Sequence, residues 1–240
     1  MKISLVIPTY NERDGLRAMV EGLSAVLERT GIDYELVIVD DNSPDGTGEL
    51  ADELARTHKV LPVHRSGKLG LSSAVIDGWK RATGDLLAVM DADMSHDWNI
   101  LPTMVRMVAE GGADVAVGSR YVPGGGMGDW PLRRQIISRV ACFLGQAICP
   151  VRDVTSGYLV FRREVIEGVT LDPIGFKIGL EVLVRGHYRT FVEVPYVFTD
   201  RKAGQSKLDF KVIRQYLVQL GRLVAFRLRH PSQRVRISPS

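Results

Sequence analysis

The sequence predicts an α/β fold, a mostly parallel central sheet flanked by helices, and three features carry that expectation. Short apolar, β-rich runs at 3–7, 34–39 and 86–90 each end in a polar loop, as buried parallel strands do. Helical periodicity fills the intervals between them, so the chain alternates strand, helix, strand and needs right-handed crossovers. With 240 residues, 45% hydrophobic and 25% charged, the chain is long enough for one sizeable core.

The opening MKISLVIPTY reads as a strand and a turn rather than as a signal peptide, so no export is expected. Pro8 ends this strand, Tyr10 is placed to flank a base, and Glu12 either binds a ribose or caps the helix that begins at Arg13. Leu16, Met19, Val20, Leu23, Val26 and Leu27 then mark one face of a helix over 15–29. The second strand ends in Asp40-Asp41, where a carboxylate can accept hydrogen bonds from a nucleotide lying at the sheet's edge. Asn42 to Thr47 is turn and cap chemistry before a helix over 46–57.

Gly67-Lys68-Leu69-Gly70 is not a P-loop, and no GxGxxG follows a strand, which argues against ATPases and dinucleotide oxidoreductases. After a helix over 72–82, the third strand runs into Asp91-Ala92-Asp93. Hard oxygen ligands of this kind suit Mg²⁺ or Mn²⁺ bridging a diphosphate, and the alternative is that they cap the next helix. Beyond Gly118-Ser119-Arg120, four glycines within 122–129 predict a mobile loop near the site. The five histidines lack metal-binding spacing, although His96 lies beside the acid pair. Cys142 and Cys149 read as buried thiols of a reducing compartment.

The apolar stretches 136–151 and 212–228 are interrupted by Arg and Gln, so neither is expected to span a bilayer alone. The net charge of +3 is uneven: residues 201–240 carry 10 Lys/Arg against one acid, Asp209, and the rest of the chain is acidic. Within this tail Val212, Ile213, Tyr216, Leu217, Leu220, Leu223, Val224 and Leu228 recur at helical steps edged by cations. The expected organisation is a body over 1–209 and a basic amphipathic C-terminal arm over 210–240. The arm would lie on a membrane surface, its alternatives being packing on its own domain or on a small membrane partner subunit. No nucleic-acid-binding motif accompanies the basic residues, so nucleic acid is not an expected partner.

The motifs MKISLVIPTYNE, LVIVDDNSPDGT, HRSGKLGLSSA, MDADMSH, GSRYV, RRQIISR, DVTSGYLVFRREV, FKIGLEVLVRG and EVPYVF with RKAGQSKL resemble the dolichol-phosphate (polyprenol-phosphate) mannose synthases of inverting glycosyltransferase family 2. The resemblance implies a nucleotide-sugar-binding glycosyltransferase A-type fold over a catalytic domain at 1–209. It further implies transfer of mannose from GDP-mannose to a polyprenyl (dolichyl) phosphate with inversion, giving a β-linked product, at the cytoplasmic face of a membrane. A transferase of the same fold using glucose or an N-acetylhexosamine is the alternative. Carried over position by position, it assigns the nucleoside to Pro8, Tyr10, Glu12, Val39 and Asp41. Metal and diphosphate fall to Asp91, Ala92, Asp93 and Ser95, and phosphate contacts to Arg120, Arg134, Arg201 and Lys207. Asp91, Asp93 and Arg120 are then the catalytic candidates. Ser95 stands where some relatives carry Gln, and Leu159 where a basic residue is often found. Lys202 to Ser206 is small and polar, so Arg201 and Lys207 are expected on a closing loop. A phosphate-monoester acceptor, with a second pKa of about 6, is largely dianionic at neutral pH and needs no general base.

Overall fold

The structure, a computed structural model, describes residues 1–199 and 210–238. In chain order the elements are β1 (Lys2–Thr9), α1 (Arg13–Arg29), β2 (Asp33–Asp40), α2 (Thr47–Leu54), β3 (Val60–His64), α3 (Leu71–Arg81), β4 (Leu86–Val89), α4 (Leu101–Ala109), β5 (Val115–Ser119), α5 (Leu132–Gln146), β6 (Leu159–Arg162), α6 (Ile178–Arg185), β7 (Thr190–Pro195), α7 (Phe210–Arg229) and β8 (Val235–Arg236). The strands form one sheet in the order β3-β2-β1-β4-β6-β5-β7-β8. All pairings are parallel except those of β6, which runs antiparallel to both β4 and β5.

Alternation along β1 and β2 divides the core between the two faces of the sheet. Ile3, Leu5 and Ile7 pack with Leu16, Met19 and Leu23 of α1 and Met104 and Val108 of α4. Val6, Val37 and Val39 face Ala74, Val75 and Trp79 of α3. Gly78 lets α3 lie this close, since a Cβ there would stand 2.5 Å from Val6 Cγ1. The predicted strands and helices of the first 90 residues are all present, and β3 is an addition. Its Pro62 is tolerated because β3 pairs only with β2, at the edge of the sheet.

The glycine-rich stretch, expected as a mobile loop, is tied down instead. Gly126 bridges to Val197, its N–H donating to Tyr196 O at 3.1 Å while its carbonyl accepts from Phe198 N at 3.0 Å. Met127 and Trp130 then bury against Tyr196 and Phe198. A Cβ on Gly125 would come within 2.6 Å of Ser119 O, so at that position glycine serves close packing rather than mobility.

The C-terminal helix α7 lays one face on the body. Tyr216 and Leu223 join the second core, Tyr216 Oη donates to Ala141 O at 2.6 Å, and Gln219 Nε2 donates to Lys177 O at 3.1 Å. The following β8 extends the sheet beside β7. Several tail cations are used within the fold: Arg234 donates to the carbonyls of Leu183, Val184 and Gly186, and Arg236 pairs with Glu193 at 3.6 Å. The opposite face of α7 leaves Ile213, Leu217, Val218 and Leu228 exposed. Among the described residues no helix is long and apolar enough to cross a membrane.

Leu223 is 0% exposed and Leu217 is 51% exposed, which separates the two faces of α7 energetically. Leu223→Ala is expected to cost about 2–5 kcal/mol of unfolding free energy, the range for deleting a buried leucine side chain. Leu217→Ala should stay within about 0.5 kcal/mol. Urea titrations of the two variants check this, and equal losses would contradict the packing described.

Candidate functional site

The carboxyl ends of β1, β2 and β4 meet at a cleft of about 170 Å³, lined by Pro8, Tyr10, Glu12, Asp41, Lys68 and the Asp91-Ala92-Asp93 turn. Its floor is set by local hydrogen bonding. Asp45 accepts from the N–H groups of Arg13 and Thr47, and Thr47 Oγ1 accepts from Glu12 N at 3.1 Å, so the turn after β2 holds the turn after β1. Glu12 precedes α1 but its side chain makes no cap bond, which excludes the capping alternative and leaves it on the cleft wall. Lys68 Nζ sits 3.7 Å from the centroid of the Tyr10 ring, a cation–π contact between two lining residues of the cleft.

The adjacent aspartates have different tasks. Asp40 accepts from Thr9 Oγ1 and Ser43 N, so it serves the turn. Asp41 pairs with Arg65 and accepts from Gly70 N at 2.8 Å, which fastens the Gly67-Lys68-Leu69-Gly70 loop over the cleft. Val39, carried over as a nucleoside residue, lies in β2 opposite Pro8 with its side chain against Gly78 in the core, and it is not part of the cleft lining.

Asp91 and Asp93 also line a second, larger cavity of about 720 Å³, with His96, Arg120, Trp130, Arg134, Thr155 and Lys177 on its walls. Both aspartates therefore stand at the junction of the two spaces. The turn that carries them reverses at Met94, whose φ of 61° is unusual for a residue with a Cβ. The reversal lets the fully buried Ser95 donate its hydroxyl and its N–H to Asp93 Oδ1. Ser95, carried over beside metal and diphosphate, thereby orients Asp93. No helix starts at the pair, because the next helical turn, Trp98–Ile100, is capped by Asp97. Two carboxylates shared by both cavities form a hard-oxygen donor set that fits Mg²⁺ or Mn²⁺; among the described residues no third His, Cys, Asp or Glu joins them.

Arg120 is held rather than offered freely. Its Nε and Nη2 donate to the two oxygens of Asp153 at 2.7 Å each, its own N–H bonds Asp153 Oδ2 at 3.0 Å, and Nη2 also reaches Thr155 Oγ1 at 2.9 Å. Burial opposes the guanidinium's charge, but the neighbouring carboxylate outweighs it and keeps Arg120 protonated beyond its ordinary range. The same opposition, resolved by Arg120, holds Asp153 below the usual carboxylate range. Glu193 of β7 completes the network, accepting from Ser119 Oγ and from the N–H groups of Arg152 and Asp153. Arg134 stacks on Trp130, its guanidinium carbon 3.7 Å from a ring centroid. His96 lies within an aromatic wall, stacked on Tyr196 at 5.5 Å and edge-on to Tyr158 at 5.2 Å.

Of the carried-over residues, Pro8, Tyr10, Glu12, Asp41, Ala92, Asp91, Asp93, Arg120 and Arg134 converge on these two spaces. Arg201 and Lys207 lie outside the described residues. Reasoning from sequence missed Arg65, Lys68, Asp153, Lys177 and Glu193. All five sit inside quoted motifs, yet the partners of Lys68 and Asp153, Tyr10 and Arg120, are 58 and 33 positions away and nothing local announces the pairing.

Residues 4–170 match the sequence family described as Glycosyl transferase family 2. The chain is 45% identical over 228 residues to a dolichol-phosphate mannosyltransferase of Pyrococcus furiosus, covering 93% of this chain and 64% of that protein. It therefore spans slightly less than two thirds of that relative's length. It is 39% identical to a polyprenol monophosphomannose synthase of Mycolicibacterium smegmatis, covering 90% and 84% of the two chains. Among solved structures, a glucosyl-3-phosphoglycerate synthase from Mycobacterium tuberculosis with Mn²⁺ and UDP superposes with a TM-score of 0.67 at 18% identity, over 96% and 81% of the two chains. A mannosyltransferase from Pyrobaculum calidifontis in complex with GDP-Man and Mn²⁺ gives 0.61 at 19%, over 96% and 65%. Likenesses at this identity concern the fold.

Asp153→Asn leaves a buried arginine without its counter-charge, and a loss of roughly 3–5 kcal/mol in unfolding free energy at neutral pH is expected. Because Asp153 has a lower pKa folded than unfolded, its contribution is present above about pH 4 and disappears as pH falls through the folded value. The acid limb of the stability curve should therefore flatten in the variant. Chemical denaturation from pH 7 to pH 2.5 measures both effects, and parallel curves would contradict the pairing.

Proposed function

The chain belongs to glycosyltransferase family 2, with the mostly parallel sheet and flanking helices of the A-type transferase fold, and from that premise we propose that it moves mannose from GDP-mannose onto a polyprenyl phosphate. The observation that carries this reading is the meeting of two spaces at Asp91 and Asp93. The smaller, with Tyr10, Glu12 and Asp41, suits a nucleoside. The larger is bounded by Ile137 of α5 and by Val212 and Ile213 of α7, apolar walls that suit a lipid phosphate entering between the helices. The names of the two relatives, 45% and 39% identical, support the donor sugar and the acceptor class.

In this reading the donor lies across the tips of β1, β2 and β4 with its diphosphate at the aspartates. Bound Mg²⁺ or Mn²⁺, held by Asp91 and Asp93 with Ser95 orienting the latter, would supply charge neutralisation for the leaving diphosphate. The acceptor phosphate, already dianionic, attacks from the large cavity on the side away from the leaving group and inverts the anomeric centre. Arg134, and beyond the described residues Arg201 and Lys207, contact phosphate oxygens, while Arg120, anchored by Asp153, shapes the wall between them. The pocket walls supply position and electrostatics rather than a general base.

Peripheral attachment to the cytoplasmic face of a membrane belongs to the same proposal. Leu132, Ile136, Val140 and Phe143 of α5 lie on one helical face and are exposed, Leu132 at 70% and Phe143 at 74%. Together with Ile213 and Leu217 of α7 they offer an apolar surface bordered by Arg133, Arg139 and Arg214. The free, buried thiols Cys142 and Cys149 are consistent with a reducing compartment.

Incubation with GDP-mannose, Mg²⁺ and a short polyprenyl phosphate is expected to yield mannosyl phosphate lipid, abolished by chelation; UDP-glucose should serve poorly. Preference for a UDP-sugar would overturn the donor assignment. Asp93→Ala should lower the rate by about hundredfold or more, corresponding to several kcal/mol of lost charge stabilisation. Ile136→Ser with Phe143→Ser should reduce sedimentation with anionic vesicles by about tenfold or more, each side chain being worth about 1.5–3 kcal/mol when fully buried. Unchanged vesicle binding would assign the apolar face to a partner subunit instead.

A further inference from the structure

Lys177 is a cation on the wall of the large cavity whose ammonium, among the described residues, hydrogen-bonds a main-chain carbonyl rather than a carboxylate. The residue immediately precedes α6, whose first turn packs tightly: a Cβ on Gly179 would stand 2.7 Å from both Ser156 O and Leu159 Cδ1. That approach brings Lys177 Nζ to Thr155 O at 3.1 Å, on the wall of the large cavity that also holds Asp91 and Asp93. Its own carbonyl is fixed from the other side by Gln219 Nε2 of α7. Main chain and head group are thus both located before any ligand arrives.

The surrounding cations are differently employed. Arg120 is matched by Asp153 through two side-chain hydrogen bonds, Arg134 stacks on Trp130, and Arg133 is exposed at the cavity's rim. Among the described residues Lys177 Nζ hydrogen-bonds a neutral carbonyl, and burial, then the charge of Arg120, pull its pKa below the ordinary lysine value against the opposing pull of Asp91 and Asp153. An ammonium in that position gains from an anion that enters the cavity. The smaller cleft, where Tyr10, Glu12 and Asp41 lie, does not include Lys177 in its lining, whereas the larger cavity does.

Resting on the reading that this cavity takes a lipid phosphate, we infer that Lys177 is a direct ligand of the acceptor's phosphate oxygens, bonding them through Nζ from the α6 side of the cavity. It holds the nucleophile against Asp91 and Asp93, whose negative charge would otherwise repel it. Because the ammonium already bonds Thr155 O and its carbonyl is held by Gln219, little ordering remains when the phosphate binds. No proton leaves Lys177 in this role.

The test uses the full chain with farnesyl phosphate, farnesol and GDP as separate probes, the last with Mg²⁺, in calorimetric titrations of wild type and Lys177→Met. Loss of one charge-assisted hydrogen bond is expected to weaken farnesyl phosphate roughly 10- to 100-fold. GDP should change by less than about threefold, and the preference for farnesyl phosphate over farnesol should shrink by the same factor as the phosphate affinity. Equal farnesyl phosphate binding by the two proteins would overturn the inference. A loss confined to GDP would overturn it too, assigning the ammonium to the donor. Wild type that binds farnesol as well as farnesyl phosphate would sink the lipid-phosphate reading itself. Should Lys177→Met fail to fold, Lys177→Gln, which keeps a donor for Thr155 O without the charge, is read against the same outcomes.

Discussion

A buried guanidinium needs a counter-charge, and the far half of this structure is arranged around that requirement. Arg120 leaves β5 with its side chain in a water-poor wall, where an isolated charge would be strongly unfavourable. Asp153 answers it with both oxygens, and Glu193 fixes Asp153 by accepting from its N–H. Thr155, two residues on, takes a hydrogen bond from Arg120 on its side chain and one from Lys177 on its carbonyl. One ion pair therefore locates the β5 exit, the segment before β6 and the start of α6. Those are three of the cavity's walls.

The near half is organised by a different economy, in which turns at the strand tips satisfy one another. Asp45 and Thr47 after β2 bind the main chain of the turn after β1, and Asp41 with Arg65 holds the loop before α3. Asp91 and Asp93, together with Leu71 and Phe176, line the spaces of both halves. Gly157 makes that sharing possible: a Cβ there would lie 3.2 Å from Asp91 Oδ2, so the segment entering β6 runs directly behind the carboxylate. The antiparallel β6, inserted between β4 and β5, is what brings the ion-pair network alongside Asp91 and Asp93.

The C-terminal helix shows how one pattern satisfies two environments. Its apolar stripe faces the core through Tyr216 and Leu223, and it is wide enough to leave Ile213, Leu217 and Leu228 facing outward beside the exposed face of α5. The positive charge of the tail is divided in the same way, since Arg234 and Arg236 serve the fold. Through Gln219 and the carbonyl of Lys177, this helix also touches the wall of the large cavity.

Much of the near half was legible in the sequence, because the information there is local. Fully buried parallel strands must read as continuous apolar runs, their helices must carry a 3.6-residue period, and acids at strand ends must lie on one edge of the sheet. Those rules located β1, β2 and β4 and the candidates Tyr10, Glu12, Asp41, Asp91 and Asp93. They did not reveal that the glycines of 122–129 pack against Val197 and Phe198, that Ser95 donates to Asp93, or that Val39 turns its side chain into the core. Nor did they join Arg120 to Asp153, 33 positions away, or bring Lys177 to Thr155, 22 away. The sequence by itself determined the fold class and the chemistry available at the sheet's edge, since both follow from periodicity and residue type. Only the tertiary structure decided which charges are already matched and which face a cavity, because pairing across distant segments depends on how β6 and α6 pack, and no short-range pattern encodes that.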